Sequence, residues 1–233
     1  MGSETHPVPS KRTENAGSLV RRYLTHRYTI LFYTLLFTLV SAPILSTLHF
    51  SGIVVESLLA ASLLAAILPV NSVRHRPILV LAMAMVWLAR PVTAWLDHPF
   101  LANITLGIWT LIGLLAAAAA LRFAIRASQV QSEHLYAALS SYLLAGTYFG
   151  LLYFVLERMI PGTFRFDGNF SQSSAIYFSF VTLATIGYGD ITPRGEIARG
   201  IVIFEGIGGQ LFLAILVARL ISLYSKPGSR ESN

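Results

Sequence analysis

The sequence predicts an all-α membrane protein of six spanning helices, with a re-entrant stretch between the fifth and the sixth. Three observations carry this. Of 233 residues, 55% are hydrophobic and 12% are charged, against roughly 25% charge in an ordinary soluble domain. The mean hydropathy is +0.64. Apolar runs also recur at close to the roughly 18–20 residues that a helix needs to cross a bilayer.

Taken in order, those runs lie at 28–47, 53–70, 77–96, 101–121, 135–156 and 199–223. The stretch 159–198 is itself partly apolar, and too irregular for a seventh span. Residues 1–27 and 225–233 read as polar tails, and the first of them has no secretory-signal pattern. The domains expected are a tail (1–27), a four-helix transmembrane domain (28–126), a second transmembrane unit (127–224) and a short tail (225–233). Ala116 to Ala120 in the fourth run suit either close helix packing or plain apolar filling.

The net charge of +6 fits membrane orientation better than nucleic-acid binding, because the basic residues flank apolar runs. Lys11, Arg12, Arg21, Arg22, Arg27, Arg74, Arg76, Arg122, Arg126, Lys226 and Arg230 fall on one side. Arg158, Arg165, Arg194 and Arg199 surround the re-entrant stretch on the other. The positive-inside rule then places both termini in the cytoplasm of a cell (inner) membrane, and the re-entrant stretch outside.

That stretch contains "AIYFSFVTLATIGYGDITP", residues 175–193. Its core is Thr185, Ile186, Gly187, Tyr188, Gly189 and Asp190. A loop of this kind exposes backbone carbonyls, which in lipid cost several kcal/mol each unless protein or a watery path takes them up. Gly187 and Gly189 permit positive φ, so that successive carbonyls can face one axis. A chance match to such a hexapeptide in a chain of this length is on the order of one in ten thousand or rarer.

This stretch resembles the pore loop of potassium channels, members of the P-loop tetrameric cation channel superfamily. The resemblance covers about 135–224, and it implies a pore domain in 127–224. There Thr185, Ile186, Gly187, Tyr188 and Gly189 form a selectivity filter that binds K+ through backbone carbonyls and the Thr185 hydroxyl. It further implies a short pore helix at about 173–184 whose C-terminal end faces the ion. Asp190, at the outer mouth, attracts cations and anchors the filter. Some relatives carry a pore-helix glutamate where this chain has Val181, and others a tryptophan where it has Tyr177. A Tyr177 hydroxyl bond to Asp190 is therefore the expected support. One filter strand cannot enclose an ion, so the resemblance implies a homotetramer. K+ is then the permeant ion and membrane lipid the other partner, with no nucleic acid and no cofactor.

In the sixth helix, Gly209 falls where many family members have a hinge glycine, though close packing of Gly206, Gly208 and Gly209 weighs equally. Gln210, Leu213, Ala214 and Val217 share a face at helical spacing and are expected to line the inner cavity and gate. Glu205 either braces the pore helix as filter support or senses pH. Glu56 and Arg90 read as a neutralising pair or as a sensing element, with the pair favoured. Residues 101–121 contain no Lys, Arg, Asp or Glu, so the fourth helix carries none of the gating arginines a voltage sensor needs. With no cysteine, scattered histidines and no nucleophile elbow or phosphate-binding loop, an enzyme is not expected. The rival readings are a non-selective cation channel of the same fold and a subunit of a potassium transporter.

Overall fold

The computed structural model describes residues 26–47, 57, 59–61, 81, 84–85, 87–89, 92, 98–126 and 132–224. Most of the second and third expected helices lies outside these residues, and so do Glu56, Arg90 and residues 1–25 and 225–233. Seven elements run through the rest. They are α1 (Arg27–Thr47), α2 (Pro99–Arg126), α3 (Ser132–Met159), β1 (Phe164–Arg165), α4 (Gln172–Leu183), β2 (Thr192–Pro193) and α5 (Glu196–Tyr224). Four of the helices are long and apolar enough to cross a membrane: α1, α2, α3 and α5. The chain is a multi-pass membrane protein.

The helices outrun their apolar runs by up to five residues at an end. α3 has 28 residues, about 42 Å at 1.5 Å per residue, against a hydrocarbon core of about 30 Å. Polar ends such as Glu133, His134, Glu157 and Arg158 continue the helix into the headgroup region, where hydropathy no longer marks it. Glu133 also serves a neighbour. Its carboxylate accepts the Tyr28 N–H at 3.0 Å and the Thr29 hydroxyl at 2.7 Å, placing negative charge on the open N–H groups of α1.

Small residues let α2 and α3 pack closely. Ala116, Ala117, Ala120 and Ala124 are buried, and the Ser141 hydroxyl donates to the Ala117 carbonyl across the seam at 3.0 Å. Of the two readings of the alanine run, close packing holds at 116, 117 and 120, whereas 118 and 119 face outward. A Cβ on Gly113 would lie 2.2 Å from the fully buried ring of Tyr148, so only glycine fits beneath that tyrosine.

A second core forms around the last turns of α3. Tyr153, Phe164, Phe170, Phe178, Ile191 and Ala198 cluster there, with edge-on ring contacts of Tyr153 to Phe164 and Phe178, both at 5.4 Å. β1 and β2 pair antiparallel, Phe164 opposite Pro193 and Arg165 opposite Thr192. Glu157 accepts the N–H groups of Gly162 and Phe164, both at 2.8 Å. This short ladder joins the segment before α4 to the segment after it. The loop between α4 and β2 is therefore held at both ends.

Candidate functional site

α4 begins at Ser171, whose hydroxyl oxygen caps the Ser174 N–H at 3.1 Å. The helix lies in a slot between α3 and α5. A Cβ on Gly150 would come 2.4 Å from the Ile176 Cα, and one on Gly146 would enter the Phe180 ring at 2.6 Å. On the other side, a Cβ on Gly209 would stand 2.8 Å from Leu183 Cδ2 and 3.2 Å from its carbonyl oxygen. Close approach is thus the role α5 gives Gly209 here, and α5 runs unbroken through it.

The last turn of α4 closes with Ala184 N–H to Phe180, Thr185 N–H to Thr182 and Ile186 N–H to Val181. The expected helix thus stops one residue early, at Leu183. Beyond it, Thr185, Gly187 and Gly189 take φ of 54, 59 and 81, and the residues between them do not take positive φ. Alternating handedness turns successive peptide units the same way, so carbonyls that would alternate in a strand fall toward one side. Thr185 is the unexpected member, because a β-branched residue at positive φ is strained. Its hydroxyl donates to the Ala184 carbonyl at 2.7 Å. Residues 184–190 are all exposed in a single chain.

Behind this strand, the Tyr177 and Tyr188 rings lie nearly parallel, with centroids 6.4 Å apart. The Tyr177 hydroxyl lies within interaction reach of Asp190, the residue the sequence paired it with. Glu205 is 1% exposed. It accepts the Tyr153 hydroxyl at 2.5 Å and the Ser179 hydroxyl on its other oxygen, so α3, α4 and α5 meet at one carboxyl. Sequence reasoning placed Glu205 against the pore helix and missed both partners, which lie 52 and 26 residues away. A lone serine amid "IYFSFVT" was the available signal.

Gln210, Leu213, Ala214 and Val217 are exposed on α5. Leu211 is exposed too, and it lines a cavity of about 210 Å³ between α2, α3 and α5 that Leu121, His134, Phe212 and Arg219 also line. The Arg219 guanidinium donates to the Ile125 carbonyl in the last turn of α2, where helix carbonyls lack intrahelical partners.

Residues 137–226 match the family model described as an ion channel. This part of the chain is similar to that family. It takes in α4, the 184–190 strand and α5, the elements just assembled. Among curated proteins, the inward rectifier potassium channel Kirbac3.1 of Paramagnetospirillum magnetotacticum is 33% identical over 90 residues, which are 37% of this chain and 28% of that protein. Protein LctB of Geobacillus stearothermophilus is 32% identical, and that of Bacillus caldotenax 30%, each over 80 residues, 31% of this chain and 59% of theirs. The chain thus matches well under two thirds of each relative's length. No solved structure matches it.

Proposed function

We propose that the protein is a potassium-selective channel that conducts K+ passively, as four identical copies around one axis. The observation that carries this is the backbone of 185–189, where positive φ recurs at every second residue within Thr-Ile-Gly-Tyr-Gly. Such a strand offers a column of carbonyl oxygens to a dehydrated cation. A threonine hydroxyl that donates its proton to a carbonyl keeps its lone pairs for the ion. The potassium channel among the relatives supports the choice of ion.

Four copies follow from what one chain leaves uncovered. Ile186 and Tyr188 are 52% and 68% exposed, beside a strand whose carbonyls have no place in lipid. In α5 only 11% of the spanning window is buried, against 56% for α3. Symmetric assembly covers the strand and places Gln210, Leu213, Ala214 and Val217 around an inner cavity. In this reading α4 is the re-entrant pore helix, six helices span the membrane, both termini are cytoplasmic, and Asp190 stands at the outer mouth.

Reversal potentials of the purified protein in planar bilayers test it. A K+ gradient with Na+ opposite should give a potential close to the K+ equilibrium value. A potential near zero would identify a non-selective channel, and K+ movement only with an energy source a transporter subunit.

A further inference from the structure

We propose that the charge on Glu205 sets whether the filter conducts: the carboxylate ties α4 to α5, and protonation releases that tie. The proposal rests on the reading of 185–189 as the filter. Two rungs join the helices, Ser179 to Glu205 and Leu183 to Gly209, each one helical turn from the other. The second rung is the residue from which the filter strand leaves. A change at the first rung therefore acts on the filter's root.

The site matches the charged form and not the neutral one. Two hydroxyls each bring one proton, and the carboxylate offers one oxygen to each. A third proton leaves three donors for two contacts, so one hydroxyl loses its acceptor where the carboxyl is 1% exposed. The two surviving bonds would then be neutral, roughly half the strength of charge-assisted ones.

Nothing nearby fixes that charge. The groups facing Glu205 are Tyr153 and, within electrostatic reach, Tyr142 on α3, and Ser179 on α4. Tyr177 on α4 engages Asp190 instead, and β2 carries no titratable side chain. Among the described residues no cation forms an ion pair with Glu205. The ion pair on its own helix is Arg199 with Glu196, both at the surface. A buried carboxylate held only by hydroxyls titrates more readily than one paired with a cation. A negative charge beside the filter also favours cations within it, so both effects make the charged form the conducting one.

Macroscopic K+ current of the purified channel in planar bilayers, recorded with both solutions stepped from about pH 9 to about pH 5, tests this. Current should fall about tenfold, the excess of one charge-assisted bond over a neutral one. Glu205→Gln should be flat with pH and fixed at the low level. A Glu205→Gln channel with the wild-type pH profile overturns the proposal. Should that variant fail to assemble, Tyr153→Phe and Ser179→Ala decide. Each removes a donor to the charged form, so the midpoint should move to higher pH, and an unmoved midpoint in both overturns the proposal. Wild-type current that is K+-selective and flat with pH overturns this inference alone. No K+ current at any pH overturns the filter reading with it.

Discussion

Positive φ at Thr185, Gly187 and Gly189 gives each residue a different constraint. A Cβ on Gly187 or Gly189 would meet nothing within 4 Å, so space does not require these glycines; backbone handedness does. Alanine at either should cost roughly 1–2 kcal/mol per strand, repeated in every copy that shares the axis. Gly187→Ala and Gly189→Ala should therefore abolish K+ current or its selectivity over Na+ while the protein still folds. A mutant reversal potential equal to wild type would remove the filter assignment. At Thr185 the same strain falls on a β-branched side chain whose hydroxyl bonds the preceding carbonyl. The motif made the two glycines legible as positive-φ sites. It could not reveal the third, because nothing in the sequence distinguishes a threonine in that conformation from any other.

At the scale of elements, α4 is positioned by what its neighbours lack. Gly150 lets the Ile176 backbone sit against α3, and Gly209 receives Leu183. Gly150→Ala must push α4 away from α3, because the obstacle is backbone and not a side-chain tip. Such overpacking costs typically about 1–3 kcal/mol; a lowered melting temperature of the detergent-solubilised protein should register it, and an unchanged one would contradict the close approach. On α5, cysteine at Gln210 or Leu213 in this cysteine-free chain should react with a cationic thiol reagent from the inside and block current. Leu211, on the side of α5 that lines the cavity shared with α2 and α3, should react much less; equal rates at all three would show the cavity face misassigned. The long helices α1, α2, α3 and α5 were legible, since each is written in an apolar run of membrane length; α4 was expected from the motif's resemblance and not from periodicity. The β1–β2 pair was not: two residues a strand give no alternation to read, and the register comes from Glu157 and Thr163 holding backbone on either side.

Across the whole molecule, α1 and α2 touch α3 and α5 at places that carry little movable charge. α1 docks its N-terminus on Glu133. α2 carries basic residues only toward its C-terminal end, Arg122 and Arg126. Toward the C-terminal end of α5, Arg219 donates to the Ile125 carbonyl. That is a link between a fixed dipole end and α5, suited to passing on a change of position rather than a displaced charge. Moving one charge through 100 mV yields only about 2.3 kcal/mol, so steep voltage dependence requires several charges per subunit within the field. Residues 99–121 of α2 offer none. Conductance–voltage curves of the purified channel should therefore be shallow. A conductance that changes e-fold over a few millivolts would show a sensor that α2 does not contain. If the curve is shallow and flattens further in Arg90→Gln, the residual charge lies in the third apolar run. If Arg219→Gln shifts open probability and leaves the slope unchanged, the peripheral helices act on α5 through that link.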